Sequence, residues 1–422
     1  MKPLKQLFLL LLLCLCLAGN LLGCTTTPPD TLTNDPQAEL VSLLRELSLY
    51  GLPEDFSSEG LTPLEIVAAL EDPYAAYFTA EEFQSYESDL QGNFVGIGVS
   101  IVSIAHPTYG EVIQVLVSFD GSPAKGAGIT AGDILTHVDG VSIDEMGYDA
   151  TTKRLLGEAG TPVTITFVRG GETHTVTLNR AACVKQTVFH HVFTSDSGTP
   201  LGYVRITDFD AVTTHQFITA IESLKEAQVA GVVFDLRYNG GGYLRTVCEM
   251  LAYILPDGVL STIDYHTNKY ADYPIFSQNG ALYMGSSVFT GDSLGNPILA
   301  SHSLDLPMAV LTNGSTASAA ELFTAALRDY GAQGTIPPVS IFGETTFGKG
   351  CMQSTYRLSD GGYVKLTIAL YNPPTGANYD GIGITPTTTV TGSPTFVDLY
   401  LSPLGEDPVR DAALTWLTAT PS

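Results

Sequence analysis

The sequence predicts an α/β protein: a core of alternating strands and helices, preceded by a small β-rich domain and, ahead of that, a helical segment. Three observations carry this. From Leu201 onward, apolar runs of strand length alternate with segments whose apolar residues recur at helical spacing, as over 214–228, where Phe217, Ile221 and Leu224 share one face. From Gly92 to about Arg180 the texture changes to short alternating strands separated by glycine turns, as over 112–116, 163–168 and 173–178. Before Gly92, the residues Leu40, Leu43, Leu44 and Leu47 make an apolar helical stripe. The expected organisation is a leader over 1–23, a tether over 24–37, a helical region over 38–91, the β-rich domain over 92–182 and the core over 183–422, with an insertion at about 256–306.

At 422 residues, 44% hydrophobic and 15% charged, the chain can bury sizeable cores. Its formal charge of −25 argues against nucleic-acid binding, because phosphate contacts need basic surface. Lys2 and Lys5 precede an apolar stretch over 7–18 and then Leu21-Leu22-Gly23-Cys24. This is a signal-peptide pattern, too short for a typical membrane span. Its end resembles a bacterial lipobox, which implies a lipid on Cys24, an extracytoplasmic protein and attachment to a membrane of the bacterial cell envelope. Ordinary secretion with cleavage nearby is the alternative. Residues 25–37, rich in Thr, Pro and Asp, suit a tether. Beyond the leader and Cys24, only Cys183, Cys248 and Cys351 remain, without metal-binding spacing, so neither metal nor cofactor is expected. The sequence leaves a homo-oligomer open.

Next in order, Thr62-Pro63 is a good start for a helix and Thr79-Ala80-Glu81-Glu82 fits a capping box. In the β-rich region, Gly96-Ile97-Gly98-Val99, the stretch 121–135 and Val138-Asp139-Gly140 resemble a PDZ domain. That resemblance implies a loop that presents N–H groups to a peptide's C-terminal carboxylate while the peptide adds as a strand.

The core offers three pieces of chemistry. An apolar strand over 231–237 runs into Asn239-Gly240-Gly241-Gly242, and a helix follows; successive glycines there let amides face a cleft. A second strand, 308–311, leads into Asn313-Gly314-Ser315-Thr316-Ala317-Ser318 and then a helix. Ser318 thus sits at a helix N-terminus, where unpaired N–H groups and the helix dipole favour an oxyanion. Ser318-Ala319-Ala320-Glu321 equally fits a capping box with no catalytic meaning. Lys349, in Thr346-Phe347-Gly348-Lys349-Gly350, is the only charge of its segment, and a lysine in a packed surround can lose its proton.

Together these segments resemble the C-terminal processing peptidases, a serine peptidase family of bacteria and chloroplasts, over most of the mature chain. The resemblance implies a crotonase-like or Clp-like core, Ser318 as nucleophile, Lys349 as general base and Gln353 as its support. It places the oxyanion donors at the amide of Ala319 and at Gly241 or Gly242. Asp72-Pro73-Tyr74 resembles the segment that precedes the PDZ domain in this family. Ala320, where the family often has serine, and a longer loop over 331–341 depart from its pattern.

Two other nucleophiles are less well placed. Gly291-Asp292-Ser293-Leu294-Gly295 matches an esterase-type G-x-S-x-G, but no helical pattern follows it and no histidine occurs after His302. Cys351 lies near a cation yet lacks helix-terminus donors. The insertion at 256–306 reads as a lid or surface feature. The expected protein is a serine endopeptidase that trims or degrades extracytoplasmic proteins recognised by their free C-termini. A PDZ adaptor without hydrolysis is the alternative.

Overall fold

The computed structural model describes residues 35–106, 110–265, 270–296 and 304–420. The leader and Cys24 lie outside the described residues.

The first helix, α1 (Pro36–Leu47), starts where Asp35 accepts the Gln37 amide at 3.0 Å and Pro36 takes the first turn, so it opens inside the stretch expected as tether. α2 (Pro63–Ala68) and α3 (Ala80–Gln91) begin at the capping boxes of Thr62 with Glu65 and Thr79 with Glu82, and between them lies β1 (Ala76–Phe78). The leucine stripe of α1 is buried, and it joins the core of the peptide's second half instead of a core of its own.

The β-rich domain comprises β2 (Asn93–Gly96), β3 (Val99–His106), β4 (Gly110–Ser118), α4 (Pro123–Gly126), β5 (Ile134–Val138), β6 (Val141–Ser142), α5 (Ile143–Leu155), β7 (Pro162–Arg169), β8 (Glu172–Asn179) and β9 (Ala181–Val184). Its sheet runs β3-β4-β5-β7-β8, with β6 on β5, around a separate core that includes Ile97, Val115, Leu135 and Ile165. Chain entry and exit are clasped, because β2 pairs antiparallel with β9.

The remainder comprises β10 (Val188–Thr194), β11 (Pro200–Ile206), α6 (Thr213–Glu226), β12 (Val232–Asp235), α7 (Leu244–Ile254), β13 (Gly258–Asp264), β14 (Tyr273–Gln278), β15 (Ala281–Met284), β16 (Ser287–Phe289), β17 (Met308–Thr312), α8 (Ala319–Ala332), β18 (Val339–Gly343), β19 (Cys351–Arg357), β20 (Tyr363–Asn372), β21 (Thr388–Thr389), α9 (Asp398–Leu401) and α10 (Pro408–Ala419). One sheet has the order β10-β11-β12-β17-β18-β21, parallel except for β10. Side chains alternate across it as the strand period demands. Val232, Phe234, Met308 and Val310 pack with α6, α7 and α8, whereas Val233, Ala309 and Leu311 pack with Val409, Ala413 and Leu417 of α10.

A second, antiparallel sheet lies beyond those helices, in the order β1-β20-β13-β14-β15-β16 with β19 on the other edge of β20. The stretch 256–306, expected as a lid or surface insertion, therefore supplies β13 to β16 of this sheet. Its Gly, Ser and Tyr content disguised a meander.

A buried cation fixes the exit of β12. Arg237, with a fully buried side chain, donates to Asp235 at 2.5 Å and to Asp407 at 2.6 Å. Asp407 also caps α10, so the last helix is tied to the turn that carries Asn239 and the glycines.

Candidate active site

Ser318 stands between β17 and α8 with φ 57° and ψ −121°, a left-handed conformation that costs a residue with a Cβ about 1–3 kcal/mol. The turn is held from both sides. Asn313 Oδ1 accepts the amides of Tyr238 at 3.0 Å and Ser315 at 3.1 Å, and Thr316 Oγ1 donates to the Leu236 carbonyl at 2.9 Å. The Ala317 amide donates to the Asn239 carbonyl at 2.9 Å. The two strand-to-helix turns are thus laced together.

Glu321 is fully buried and does more than cap a helix. Its Oε2 accepts the amides of Ser318 at 2.9 Å and Lys349 at 2.7 Å; its Oε1 accepts the Gly348 amide at 2.7 Å and the Thr346 hydroxyl at 2.5 Å. The Glu321 amide finds the Ser318 carbonyl at 2.8 Å, so the Ser318 hydroxyl is not required as a cap. One carboxylate therefore binds the serine turn to the lysine loop. The S-x-x-E pattern was visible in sequence; its partner loop was not.

Ser318 Oγ lies 3.3 Å from Tyr371 Oη, which is 2.7 Å from the Lys349 carbonyl. Burial raises the Tyr371 phenol far above its ordinary value, so it stays protonated. Lys349 Nζ lies 4.3 Å from the Tyr74 ring centroid. Burial lowers the Lys349 amine from the usual lysine range, against the opposing pull of Cys351, Asp72, Asp380 and Glu321. Among the described residues no hydrogen bond joins Lys349 Nζ to Ser318 Oγ.

Gln353 has hydrogen bonds to its own sheet. Its amide donates to Thr367 Oγ1 at 3.2 Å and to Cys351 Sγ at 3.3 Å. The cause is its place on β19, whose neighbour β20 presents Thr367 directly opposite.

The glycine turn comes close to Ser318. A Cβ on Gly241, at φ 108°, would sit 2.7 Å from Ser318 Cβ and 3.1 Å from the Ala319 nitrogen. The Gly241 amide, however, donates to Asn239 Oδ1 at 2.8 Å. Gly241 is thus corrected from donor to close-approach residue, since its proton is occupied. The amides of Gly242 and Ala319 have no acceptor among the described residues. Asn239 and Tyr371 were not singled out by sequence; the first adjoins the glycines, and the second gives no local signal.

The rival nucleophiles fare worse. Burial, with Asp380 next, pushes the Cys351 thiol up to about 12. Ser293 lies in a turn closed by Asp292 Oδ1, which accepts the amides of Leu294 at 2.9 Å and Asn296 at 2.8 Å.

In the β-rich domain, Gly96, Ile97, Gly98 and Val99 connect β2 to β3. The Ile97 and Gly98 carbonyls are engaged by the amides of Ala124 at 2.9 Å and Phe119 at 3.0 Å. Gly98, at φ 76°, admits no Cβ, which would lie 2.3 Å from Ser122 Cβ. β3 is an edge strand, paired only with β4 among the described strands.

Residues 200–390 match peptidase family S41, and residues 119–169 match the PDZ domain. A probable CtpA-like serine protease of Staphylococcus saprophyticus is 31% identical over 336 residues, which cover 79% of this chain and 61% of that protein. The chain thus spans about three fifths of that relative's length. A carboxyl-terminal-processing protease of Picosynechococcus is 29% identical over 333 residues, covering 78% and 72%. A putative S41 protease from Bacteroides fragilis shares the fold with a TM-score of 0.62 at 17% identity, covering 93% of this chain and 99% of that one. The peptidase match falls on the two turns that meet at Ser318 and the PDZ match on the domain clasped by β2 and β9; over those residues the chain matches peptidase family S41 and a PDZ domain, and it is similar to the carboxyl-terminal-processing proteases.

Proposed function

We propose that the protein is a serine endopeptidase in which Ser318 attacks the peptide carbonyl and Lys349 takes its proton, then returns it to the leaving amine. The oxyanion is received by the amides of Ala319 and Gly242. The observation that carries this is Glu321, which locks the serine turn and the lysine loop into one unit. For attack, Lys349 Nζ turns from Tyr74 to Ser318 Oγ. The resting separation of the two groups also favours an adaptor reading, in which the chain binds C-termini without cutting. A fluorophosphonate probe decides: labelling mapped to Ser318 is expected, and no labelling, or labelling at Ser293, sinks the peptidase reading.

Substrates are unfolded or tailed proteins whose free C-terminus docks at Gly96-Ile97-Gly98-Val99 and extends along β3. Amidating the C-terminus of a cleaved peptide is expected to weaken binding about tenfold or more, as loss of a charge-assisted contact does. Equal binding and equal cleavage of the two forms would remove the PDZ domain from recognition.

We also propose a lipid on Cys24 that ties the protein to the outer side of a bacterial membrane, supported by the lipobox-like Leu21-Leu22-Gly23-Cys24. Cys24→Ala is expected to release the protein from membranes or leave it unprocessed. A mature, membrane-bound Cys24→Ala chain contradicts the anchor.

A further inference from the structure

Asp72-Pro73-Tyr74 takes no part in the proton transfer proposed above, although it lies against the site. Asp72, buried, accepts the Tyr74 amide at 2.9 Å, so the turn is closed on itself. The same carboxylate accepts the Thr367 amide at 3.0 Å and the Thr367 hydroxyl at 3.1 Å. Thr367 is on β20, four residues before Tyr371, which touches Ser318 and the Lys349 carbonyl. The Tyr74 ring is therefore fixed to the strand that borders the nucleophile, and Lys349 Nζ rests on its face at 4.3 Å.

That placement discriminates between protonation states. An aromatic face attracts a charged ammonium and has little attraction for a neutral amine. A general base must be the neutral amine, hydrogen-bonded to the serine hydroxyl. The amine on Tyr74 is not hydrogen-bonded to Ser318 Oγ, so the two arrangements are alternatives. The other groups around Lys349 are Asp72 of the N-terminal segment, Glu321 of α8, Cys351 of β19, Asp380 after β20 and Lys365 of β20, with Tyr50 close to Tyr74. Lys365 repeats the arrangement, with its Nζ 5.0 Å from the Tyr86 ring centroid and 5.7 Å from that of Phe78. The N-terminal segment thus meets both lysines with aromatic faces.

We propose that Tyr74 is a positioning residue of this site: its ring holds the charged ammonium of Lys349 clear of Ser318 in the resting chain, so that the N-terminal segment sets how readily the base is released. This rests on the assignment of Lys349 as base. Anything that shifts the 72–74 turn away from Thr367 favours the neutral amine and the active arrangement.

The test uses the full chain with ¹³C-labelled lysine, the Lys349 resonance being identified by its loss in Lys349→Ala. Tyr74→Leu keeps the bulk and apolarity but removes the ring face. It is expected to lower the Lys349 pKa by about 0.5–1.5 units and to move the acid limb of kcat/KM, measured on fluorescein-labelled casein, down with it. Tyr74→Phe keeps the face and is expected to retain the wild-type pKa. A purely structural role would lower activity at every pH without moving the limb. An unmoved pKa in Tyr74→Leu, or the same shift in Tyr74→Phe, overturns the proposal. A pKa that responds in a chain whose casein cleavage is indifferent to Ser318→Ala sustains the contact and overturns the peptidase reading instead.

Discussion

Lys349→Ala is expected to lower kcat by about three orders of magnitude or more, with Ser318→Ala falling to the same floor and the double variant little lower. The reason is that neither residue acts alone. A serine hydroxyl at neutral pH is a poor nucleophile until its proton has somewhere to go, and the amide donors of Ala319 and Gly242 act only once attack has begun. An ordinary lysine, with a pKa of about 10.4, is neutral in roughly one molecule in a few thousand at pH 7. Burial shifts the Lys349 amine toward neutrality. With Lys349 as the proposed base, a fall in pH through its pKa protonates and removes it, so the acid limb of kcat/KM is expected to follow Lys349. Lys349→Arg is expected to fail as completely, because guanidinium keeps its proton. Turnover measured across pH decides the matter: a Lys349→Ala chain within a few-fold of wild type would sink the assignment, as would activity that follows Cys351.

Glu321→Gln is the second large effect, with kcat expected to drop about a hundredfold while the fold persists. The carboxylate meets donors at both oxygens, and three of those donors are backbone amides of Ser318, Gly348 and Lys349. Backbone amides cannot turn round to accept. Whichever end the glutamine NH₂ occupies, it faces at least one of them, leaving a buried donor unpaired at about 1–3 kcal/mol. The lysine loop would relieve this by moving off α8, which misplaces the base. Thermal unfolding alongside single-turnover kinetics is the check. A variant that loses stability yet keeps its turnover would show that Glu321 supports the fold without aligning the site.

The local features of the site were legible because local chemistry produces them. The helix starts at Thr79 and Ser318, the glycine turns of the β-rich domain and the pairing of a serine turn with T-F-G-K-G are all written within a few residues. The second sheet was not legible, since β20 collects β1 and β13 from two distant parts of the chain. Gln353 illustrates the limit. Its four-residue spacing from Lys349 is written in the sequence, whereas its hydrogen bond to Thr367 follows from the register with β20, which is not. Likewise nothing near Tyr371 in sequence announces that it will stand beside Ser318.

The pairing of the 72–78 segment with β20 also has a temporal side. Asp72 and Thr367 are 295 positions apart, yet they are bonded. On a ribosome adding roughly 5–20 residues per second, the first waits about 15–60 s for the second to be made. The β-rich domain, with its own core and clasped ends, can fold during that interval. The lysine, its aromatic rest and the strand bearing Tyr371 come together only after that strand, 363–372, has been made. If Ser318 and Lys349 act as proposed, a nascent chain is therefore unable to cut itself or its neighbours until Tyr371 has been made and has joined them.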